Sequence, residues 1–342
     1  MAFFHSQSGG ISLSERFRAL VVNKTNDRFS LDIETLALND LPDHDVLIKV
    51  RYSSINYKDS LACIPDGKIV ATYPFIPGID LAGIVVSSRD HRFHEGDQVI
   101  ATGFEIGVSH YGGFSEYAKI PADWLVPLPE RLTLAEAMIF GTAGFTAALS
   151  IQKLEDNGLT AENGKVLVTG ATGGVGSLAV AMLAKSGYQV VASTGKETEQ
   201  DYLHQLGASE VISRQDVYSG KIKKLDTPLW AAAIDPVGGN TLAAILSKIC
   251  YGGSVAVSGL TGGIDIPTTV YPFILRGVSL LGIDSVYCPM DLRKNIWRRM
   301  ASDLNPGKVL ESLQKVVHLE ELPEKLPLLL KGRSHGRMIV RL

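Results

Sequence analysis

The chain has 342 residues and a formal net charge of −3, with 45% hydrophobic and 20% charged residues. This length suits two domains, and the composition is typical of a globular protein with an apolar core. The small net charge excludes wholesale attraction to nucleic acid or anionic membrane, and no apolar run is expected to approach the roughly 20 residues of a membrane-spanning helix.

The N-terminal residues 1–10 predict a flexible leader before the first strand. They lack a basic segment followed by an apolar one, so no secretory signal is expected. Cys63, Cys250 and Cys288 are too few and too widely spaced for a disulfide framework or a zinc cluster. Their spacing indicates reduced thiols in a cytoplasmic protein.

The first part of the chain alternates short β-branched runs with turns rich in Gly, Pro and Asp. This pattern predicts a compact, barrel-like β unit. Its predicted strands are 17–22, 45–51, 83–86, 97–101, 114–120 and 124–127.

From residue 134 the pattern changes to a helix over 134–149, and then to strands alternating with helices. The predicted strands are 166–169, 189–193, 210–212, 230–234, 254–257 and 279–282. Strands joined by helical crossovers predict an α/β fold with a doubly wound parallel sheet. A helix over 292–304 leads to the run 309–317 and a last strand over 336–341, which is expected to return to the β unit.

A glycine-rich turn at 170–176 joins the strand at 166–169 to a helix at 177–185. The glycines permit a sharp turn and a close approach of the backbone to a pyrophosphate. The helix N-terminus adds free N–H groups and the positive end of its dipole. The segment therefore predicts a dinucleotide site.

The same letters, Thr169-Gly170-x-x-x-Gly174-x-Gly176, also fit the fingerprint of short-chain dehydrogenases. Those enzymes carry it near the N-terminus and have a downstream Tyr-x-x-x-Lys. Here no tyrosine is followed by lysine four positions on, and Tyr218 to Lys221 is one residue short. We therefore set that interpretation aside.

The end of the second sheet strand predicts which nicotinamide cofactor is bound. NAD enzymes usually have an acid there for the ribose hydroxyls, whereas this chain has Ser193, Thr194, Gly195 and Lys196. Hydroxyls and an ammonium suit a 2′-phosphate, and Arg214 after the third strand offers a second cation. Glu197 and Glu199 count against this choice, although as first-turn residues of the next helix they would also favour its dipole. We expect NADPH rather than NADH.

Five further motifs occur in order, followed by the cofactor loop. The motifs are Ser54-Ile-Asn-Tyr-Lys-Asp59, Ile76-Pro-Gly-Ile-Asp-Leu-Ala-Gly83, Glu95-Gly-Asp-Gln-Val99, Gly112-Gly-Phe-Ser-Glu-Tyr117 and Gly141-Thr-Ala-Gly-Phe-Thr-Ala147. With these motifs the chain resembles the medium-chain dehydrogenase/reductase superfamily from residue 17 to the end. Within it, the chain resembles the acrylyl-CoA reductase group, also called YhdH/YhfP-type quinone oxidoreductases.

The resemblance implies a GroES-like catalytic domain at 1–132 and 301–342, a Rossmann domain at 133–300, a cleft between them and commonly a dimer. By position, it puts Thr172, Gly173, Gly174 and Val175 under the pyrophosphate, and Thr194, Gly195 and Lys196 at the adenosine phosphate. Leu260, Ile274 and Ser285 would flank the nicotinamide. The group often has a polar residue where this chain has Gly332, so that contact is not carried over.

The resemblance also raises the question of zinc, which related alcohol dehydrogenases use. Their catalytic ligands would fall at Asn56 and Ile79, where they have cysteine and histidine, and neither residue is a normal zinc ligand. Residues 90–120 contain no cysteine for a structural zinc lobe. No metal is expected.

Without a Lewis acid, hydride addition to an activated C=C bond is easier than carbonyl reduction. The protein must then align hydride and acceptor, stabilise the developing oxyanion and exclude water. The resemblance puts Tyr57 beside the nicotinamide, where its hydroxyl could donate a proton or its ring could only position the cofactor. Asn56 and Asp59 are expected mainly to order this loop, with Asn56 also a catalytic candidate. His5 and His110 lack a supporting cluster and are expected at the surface.

Three functions stay open: an NADPH-dependent enoyl-CoA reductase such as an acrylyl-CoA reductase, a quinone or small-enone reductase, and a non-catalytic NADPH-binding protein. Coenzyme A would require cations at the cleft mouth, for which Lys58, Lys68 and Arg276 are candidates. The strand 279–282 is a sheet edge that could pair across a two-fold axis in a homodimer.

Overall fold

A computed structural model of the chain describes residues 15–26, 28–332 and 335–342. The predicted leader and His5 lie outside these residues. In the N-terminal part the elements are β1 Arg16–Lys24, β2 Phe29–Ala37, β3 Val46–Ser54, α1 Tyr57–Ala62, β4 Asp80–Ser88, β5 Gln98–Thr102, β6 Tyr117–Ile120 and β7 Leu125–Pro127.

The middle of the chain alternates strands and helices. Its elements are α2 Leu134–Asp156, β8 Val166–Val168, α3 Gly174–Lys185, β9 Val190–Thr194, α4 Gln200–Gln205, β10 Glu210–Ser213, α5 Arg214–Val217, β11 Trp230–Asp235, α6 Gly239–Lys248, β12 Ile249–Val257, α7 Tyr271–Arg276 and β13 Ser279–Gly282. The C-terminal elements are α8 Met290–Met300, α9 Lys308–Ser312, β14 Gln314–His318, α10 Leu322–Leu330 and β15 Arg337–Arg341. Short 3₁₀ turns occur at Leu38–Asp40, Ala122–Trp124, Ala161–Asn163, Glu197–Glu199 and Leu319–Glu321.

The β unit contains a hairpin of β1 and β2 and a larger sheet in the order β14-β15-β3-β4-β5-β7, with β6 also paired to β3. β15 runs antiparallel to β3, which confirms that the last strand returns to the N-terminal unit. β14 then adds to β15 in parallel. The core of the larger sheet is formed by apolar side chains of β3, β4 and β5 that are fully buried, such as Ile48, Leu81 and Val99.

The second sheet has the order β10-β9-β8-β11-β12-β13, and its neighbouring strands all run parallel. This is the strand order of a Rossmann sheet, with the order reversing between β8 and β11. The side chains of β8 and β11 are buried on both faces, as expected for central parallel strands covered by helices. The predicted α/β fold is confirmed.

Helix α2 packs against strands of both sheets. It is longer than the predicted helix 134–149 because Ile151 and Leu154 continue its buried face beyond Leu149. Its 23 residues are apolar enough to meet the length and composition criteria for a membrane span, so the expectation that no apolar run approaches that length is wrong. Its most apolar window is 78% buried inside the molecule, as in the core helix of a globular protein.

Three elements, β2, α1 and α10, were not predicted from the sequence. β2 has no clear alternation, since most of its side chains are half-buried, and α1 is too short to give a helical period. The run 309–317 divides into α9 and β14. The domain limits at 132/133 and 300/301 stay a prediction.

Candidate active site

The glycine-rich turn ends at the N-terminus of α3. Gly170 has a φ of 53°, and the N-cap residue Gly173 is extended, so the helix starts at Gly174. Ser177 N donates to Gly173 O and Gly173 N donates to Gly170 O, both at 2.9 Å. The amides of the first helical turn, residues 174–176, are the ones that have no partner within a helix. A Cβ on Gly176 would lie 2.3 Å from Gly170 O, so the helix fits against the turn only because this residue has no side chain. The geometry suits a phosphate group.

The predicted adenosine-phosphate residues meet at the carboxyl ends of β9 and β10. Thr194 is buried at the end of β9, and its hydroxyl accepts from Lys196 N at 3.1 Å. A Cβ on Gly195 would lie 2.6 Å from Arg214 Nη2, so the Arg214 guanidinium rests on the Gly195 backbone. A hydroxyl and a guanidinium are therefore adjacent at this sheet edge.

The residues predicted to flank the nicotinamide are only partly brought together. Ser285 follows β13 and meets the β unit, since a Cβ on Gly103 would lie 3.0 Å from Ser285 O. Leu260 follows β12 and is 64% exposed. Ile274 lies in α7, between β12 and β13 rather than at the end of a strand, and is 69% exposed.

The loop with the predicted catalytic residues is held by a buried carboxylate. Asn56 is the N-cap of α1, and Tyr57, its first residue, is 48% exposed. One oxygen of Asp59 accepts from Asn56 N at 2.8 Å and the other from Ile79 N at 2.8 Å. Asp59 thus joins the backbone at the two positions where zinc-dependent relatives would carry metal ligands.

A second buried carboxylate, Asp80, is the centre of a hydrogen-bond network. Its oxygens accept from the Ser54 hydroxyl at 2.5 Å, from Asn56 Nδ2 at 2.8 Å, and from the backbone N and Oγ1 of Thr142 at 2.9 and 2.5 Å. Thr142 N is available because α2 is interrupted at Gly141, whose φ is 49° and ψ −155°. The network therefore attaches the catalytic loop to the kink in α2.

Arg337, at the start of β15, joins this network to the glycine-rich turn. Its Nη1 donates to Asn56 Oδ1 and Ile55 O, both at 3.2 Å, and its Nη2 donates to the Ser54 hydroxyl at 2.9 Å. A Cβ on Gly174 would lie 3.1 Å from Arg337 Nη1. The predicted catalytic loop and cofactor loop thus meet at one buried guanidinium.

Burial governs the electrostatics of this cluster. It raises the pKa of Asp59 to about 7, and the charge of Asp80 adds to the effect, while hydrogen bonds from Ile79 and Asn56 oppose it. Burial lowers the pKa of Arg337, and the charges of Asp80 and Asp59 oppose that shift. Arg337 pairs with Asp80 at 4.0 Å, whereas Asp59 binds two backbone amides, so burial penalises the ionised form of Asp59.

The donor set does not suit zinc. The Asn56 amide is engaged with Asp80 and Arg337, and Ile79 offers no side-chain ligand. Among residues 15–26, 28–332 and 335–342, no group of three or more His, Cys, Asp and Glu side chains could hold a metal ion. Cys63, Cys250 and Cys288 are free thiols.

The structure corrects the expectations for two other candidate residues, His110 and Arg276. His110 is buried rather than on the surface, because its ring packs between His44 and Trp124, and burial lowers its pKa to about 4. The Arg276 guanidinium is not an open cation, since it donates to the carbonyl oxygens of Ser247, Ile249 and Asp226. Lys58 is half-buried, Lys68 is exposed, and Gly332 has open space around its Cα.

Sequence reasoning did not assign roles to Asp80, Thr142 or Arg337, although the first two lie in quoted motifs. A signal was present: a charged residue at the start of the apolar run 80–86, and another in the apolar strand 337–341. Charged residues in buried strands are rare unless paired, so the two together predict a contact between those strands' ends.

Comparisons with known proteins agree with this architecture. Residues 42–130 match the family model of the alcohol dehydrogenase GroES-like domain, and residues 174–302 match that of zinc-binding dehydrogenases. A GroES-like β unit followed by a Rossmann sheet defines the class of medium-chain dehydrogenases/reductases. The chain belongs to this superfamily and, within it, to the YhdH/YhfP subgroup, as the motif resemblance implied.

Individual relatives are similar over nearly the whole chain. YhfP of Bacillus subtilis, which carries the name of a quinone oxidoreductase, is 62% identical over 96% of this chain and 100% of its own length. Acrylyl-CoA reductase AcuI of Ruegeria pomeroyi is 48% identical over 95% of this chain and 98% of its own length.

The crystal structure of YhfP with NAD bound superposes with a TM-score of 0.94, covering 96% of this chain and 100% of that one. The YhdH oxidoreductase of Salmonella enterica in complex with NADP is 44% identical, with a TM-score of 0.92 over 95% of this chain and 99% of that one.

Proposed function

We propose that the protein is an NADPH-dependent, zinc-free oxidoreductase that reduces the activated C=C bond of an enoyl-CoA such as acrylyl-CoA. The observation that carries this proposal is the Arg337 junction, where the loop of Asn56 and Tyr57 meets the phosphate turn at Gly174. The likeness to AcuI indicates the substrate class. The joining of these loops suits hydride transfer between a bound dinucleotide and an acceptor beside Tyr57.

NADPH is proposed on the residues at the end of β9. Thr194, Gly195 and Lys196 with Arg214 offer hydroxyl, backbone and cationic groups for a 2′-phosphate. The relatives differ in their bound dinucleotide, NAD in YhfP and NADP in YhdH, so the choice rests on this chain's own side chains. Thr172, Gly173, Gly174 and Val175 would hold the pyrophosphate, and Leu260, Ile274 and Ser285 the nicotinamide end.

NADPH, when bound, supplies a hydride to the β-carbon of the acceptor. The exposed Tyr57 hydroxyl is proposed to donate a proton or a hydrogen bond as charge develops on the conjugated carbonyl. Asn56 orients that loop through its bonds to Asp80 and Arg337. Asn56 and Ile79 favour a zinc-free reaction, because neither is a normal zinc ligand.

A quinone or small enone is the second candidate acceptor. It is favoured by the likeness to YhfP, which is 62% identical to this chain. Reduction of a quinone uses the same hydride and also develops negative charge on an oxygen, so the same residues would serve.

The proposal extends to setting and assembly. The formal charge of −3 and the three free thiols favour a cytoplasmic protein with small-molecule partners and no binding to nucleic acid or membrane. β13 is at the edge of its sheet, and the segment between β12 and β13 carries exposed apolar side chains, including Ile264, Val270 and Leu275. These features favour a homodimer paired along β13. Domain limits at 1–132 with 301–342, and at 133–300, are retained.

The test is the oxidation of NADPH by the purified protein, followed by nicotinamide absorbance, with acrylyl-CoA, crotonyl-CoA, p-benzoquinone and methyl vinyl ketone as separate acceptors. The expected result is the highest kcat/KM with acrylyl-CoA, and a preference for NADPH over NADH of at least about tenfold. Tyr57→Phe is expected to lower kcat about 10- to 100-fold with NADPH affinity unchanged, because only the hydroxyl is removed.

Tyr251→Phe is the matched control, since Tyr251 is 85% exposed on β12 and lies outside the proposed site. Preferred turnover of p-benzoquinone would favour the second candidate. No turnover of any acceptor despite tight NADPH binding would contradict an enzymatic function and leave a non-catalytic NADPH-binding protein. An unchanged rate in Tyr57→Phe would leave that side chain only a positioning role.

A further inference from the structure

A second buried arginine, Arg293 of α8, lies where the two sheets meet. Its side chain is fully buried, and its guanidinium lies between the rings of Phe104 and Phe145, 4.6 and 4.9 Å from their centres. Burial lowers its pKa, while the charges of Cys288, Asp284 and Asp80 oppose the shift. A buried cation is costly unless its donors are matched, so its partners indicate what it does.

The partners come from both units. Nη1 donates to the carbonyl and hydroxyl oxygens of Thr102 at 2.9 and 3.1 Å, and Thr102 ends β5 of the β unit. Nη2 donates to the carbonyl oxygens of Ser285 and Val286, both at 3.0 Å, in the segment after β13. One planar side chain thus fixes the distance between these two segments.

Further contacts join the residues next to these two segments, 103–105 and 285–287. Phe104 N donates to Val286 O at 3.0 Å, although Phe104 has a φ of 51°, a strained value for a side-chain-bearing residue. Tyr287 donates its hydroxyl proton to Glu105 at 2.5 Å. The turn 103–105 is therefore held against 285–287 at two successive positions, Phe104 and Glu105, and its strain is offset by that docking.

Only arginine fits this arrangement. Its two terminal nitrogens bind two separate pairs of acceptors in a fixed plane, whereas a lysine ammonium offers donors from a single point. Its Nε is buried without a partner in the part of the chain that the structure describes. Arg293 therefore bridges the two segments although its buried Nε donor is left without a hydrogen bond.

We propose that Arg293 is a positioning residue that fixes residues 285–287 against the end of β5 and so aligns the nicotinamide end of the cleft with the catalytic loop. This inference rests on the proposed function, in which Ser285 flanks the nicotinamide. Asp80 pairs with Thr102 in the neighbouring strand, so the segment held by Arg293 adjoins the network that orients Asn56. The adenosine end, at Gly195 and Arg214, lies on other strands and should be independent of Arg293.

The experiment compares wild-type protein with Arg293→Lys and Arg293→Met. It measures kcat, the fluorescence of bound NADPH as a readout of the nicotinamide environment, and the affinity for 2′,5′-ADP as a readout of the adenosine end. We expect kcat to fall about 10- to 100-fold and the fluorescence of bound NADPH to change, because small misplacements of reacting groups are costly. The affinity for 2′,5′-ADP should stay within about twofold of wild type.

Arg299→Met is the matched control, since Arg299 lies on the same helix but pairs with Glu155 and Asp303. It should keep the wild-type kcat and fluorescence. Tyr287→Phe is a milder test at an exposed side chain and should reduce kcat in the same direction, which keeps the inference testable if Arg293→Met does not fold.

Wild-type kcat and fluorescence in Arg293→Lys and Tyr287→Phe would overturn the inference. So would an equal loss of 2′,5′-ADP affinity and kcat in Arg293→Lys, because that would indicate a general structural role. If the wild-type protein turns over no acceptor, the proposed function fails, but the fluorescence and 2′,5′-ADP measurements still test Arg293.

Discussion

At the scale of single residues, two buried carboxyl groups, Asp59 and Asp80, bind the loop that carries Asn56 and Tyr57. Asp59 accepts hydrogen bonds from the backbone amides of Asn56 and Ile79. Asp80 accepts from the side chains of Ser54 and Asn56 and from the backbone and hydroxyl of Thr142. Asp59 thus links the backbone at positions 56 and 79 of the β unit. Carboxyl groups hold this loop through hydrogen bonds, so its conformation should depend on pH.

We predict that Asp59 makes stability fall as pH rises. Its folded pKa of about 7 exceeds the ordinary value of 3.8, so the folded protein retains a proton that the unfolded chain releases. The resulting stability is complete below about pH 4 and is lost as pH rises through about 7. Asp59→Asn removes this titration, so the free energy of unfolding of wild type should fall relative to the variant by up to about 1.4 kcal/mol per pH unit in that window.

The measurement is urea unfolding of wild type, Asp59→Asn and Asp66→Asn across this pH range. Asp66 lies in the same region and is exposed, so Asp66→Asn should follow the wild-type curve. Parallel curves for wild type and Asp59→Asn would show that the folded pKa of Asp59 stays near its ordinary value of 3.8, contrary to this account.

At the scale of elements, α2 connects the two sheets and supplies a donor to the site. The interruption at Gly141 frees Thr142 N, which an uninterrupted helix would use internally, to bind Asp80. The kink is therefore part of the network that orients Asn56.

We predict that Gly141→Ala destabilises the protein by about 2–3 kcal/mol, because these backbone angles are nearly exclusive to glycine. A Cβ there would also lie 2.5 Å from both Asp80 Oδ2 and the Ser54 hydroxyl. Thermal and urea unfolding measure the effect. Gly158, just beyond the same helix, has a φ of 92° but open space around it. Gly158→Ala therefore has only the backbone cost and should destabilise the protein less than Gly141→Ala. Equal losses in the two variants would contradict a tight contact at Gly141.

Strong periodic signals made most elements predictable. The strands of the parallel sheet and the glycine turn could be read from buried apolar runs and their punctuation, and the last strand was correctly expected to join the β unit. β2 could not be predicted, because a half-buried hairpin strand lacks a clear alternation of apolar and polar residues. The end of α2 was missed because polar residues intervene before Leu154. The partners of Arg337 and Arg293 depend on contacts between distant segments, which local sequence patterns do not encode.

At the scale of the whole molecule, two buried arginines join the β unit to segments of the Rossmann sheet. Arg337 meets the phosphate turn, and Arg293 meets the segment after β13. Burial lowers the pKa of each, and the charge of Asp80 opposes both shifts. In the binding mode proposed above, Arg337 would position the pyrophosphate of the dinucleotide and Arg293 its nicotinamide end.

The most direct test of the central claim is isotope transfer. NADPH deuterated at the transferred C4 position is incubated with the wild-type protein and acrylyl-CoA, in buffer treated with a metal chelator, and the product is analysed by mass spectrometry and NMR. We predict propionyl-CoA with one deuterium on its β-carbon and a solvent-derived proton on its α-carbon. Unlabelled product, label at the α-carbon, or loss of turnover with the chelator would contradict a metal-free hydride transfer to the C=C bond.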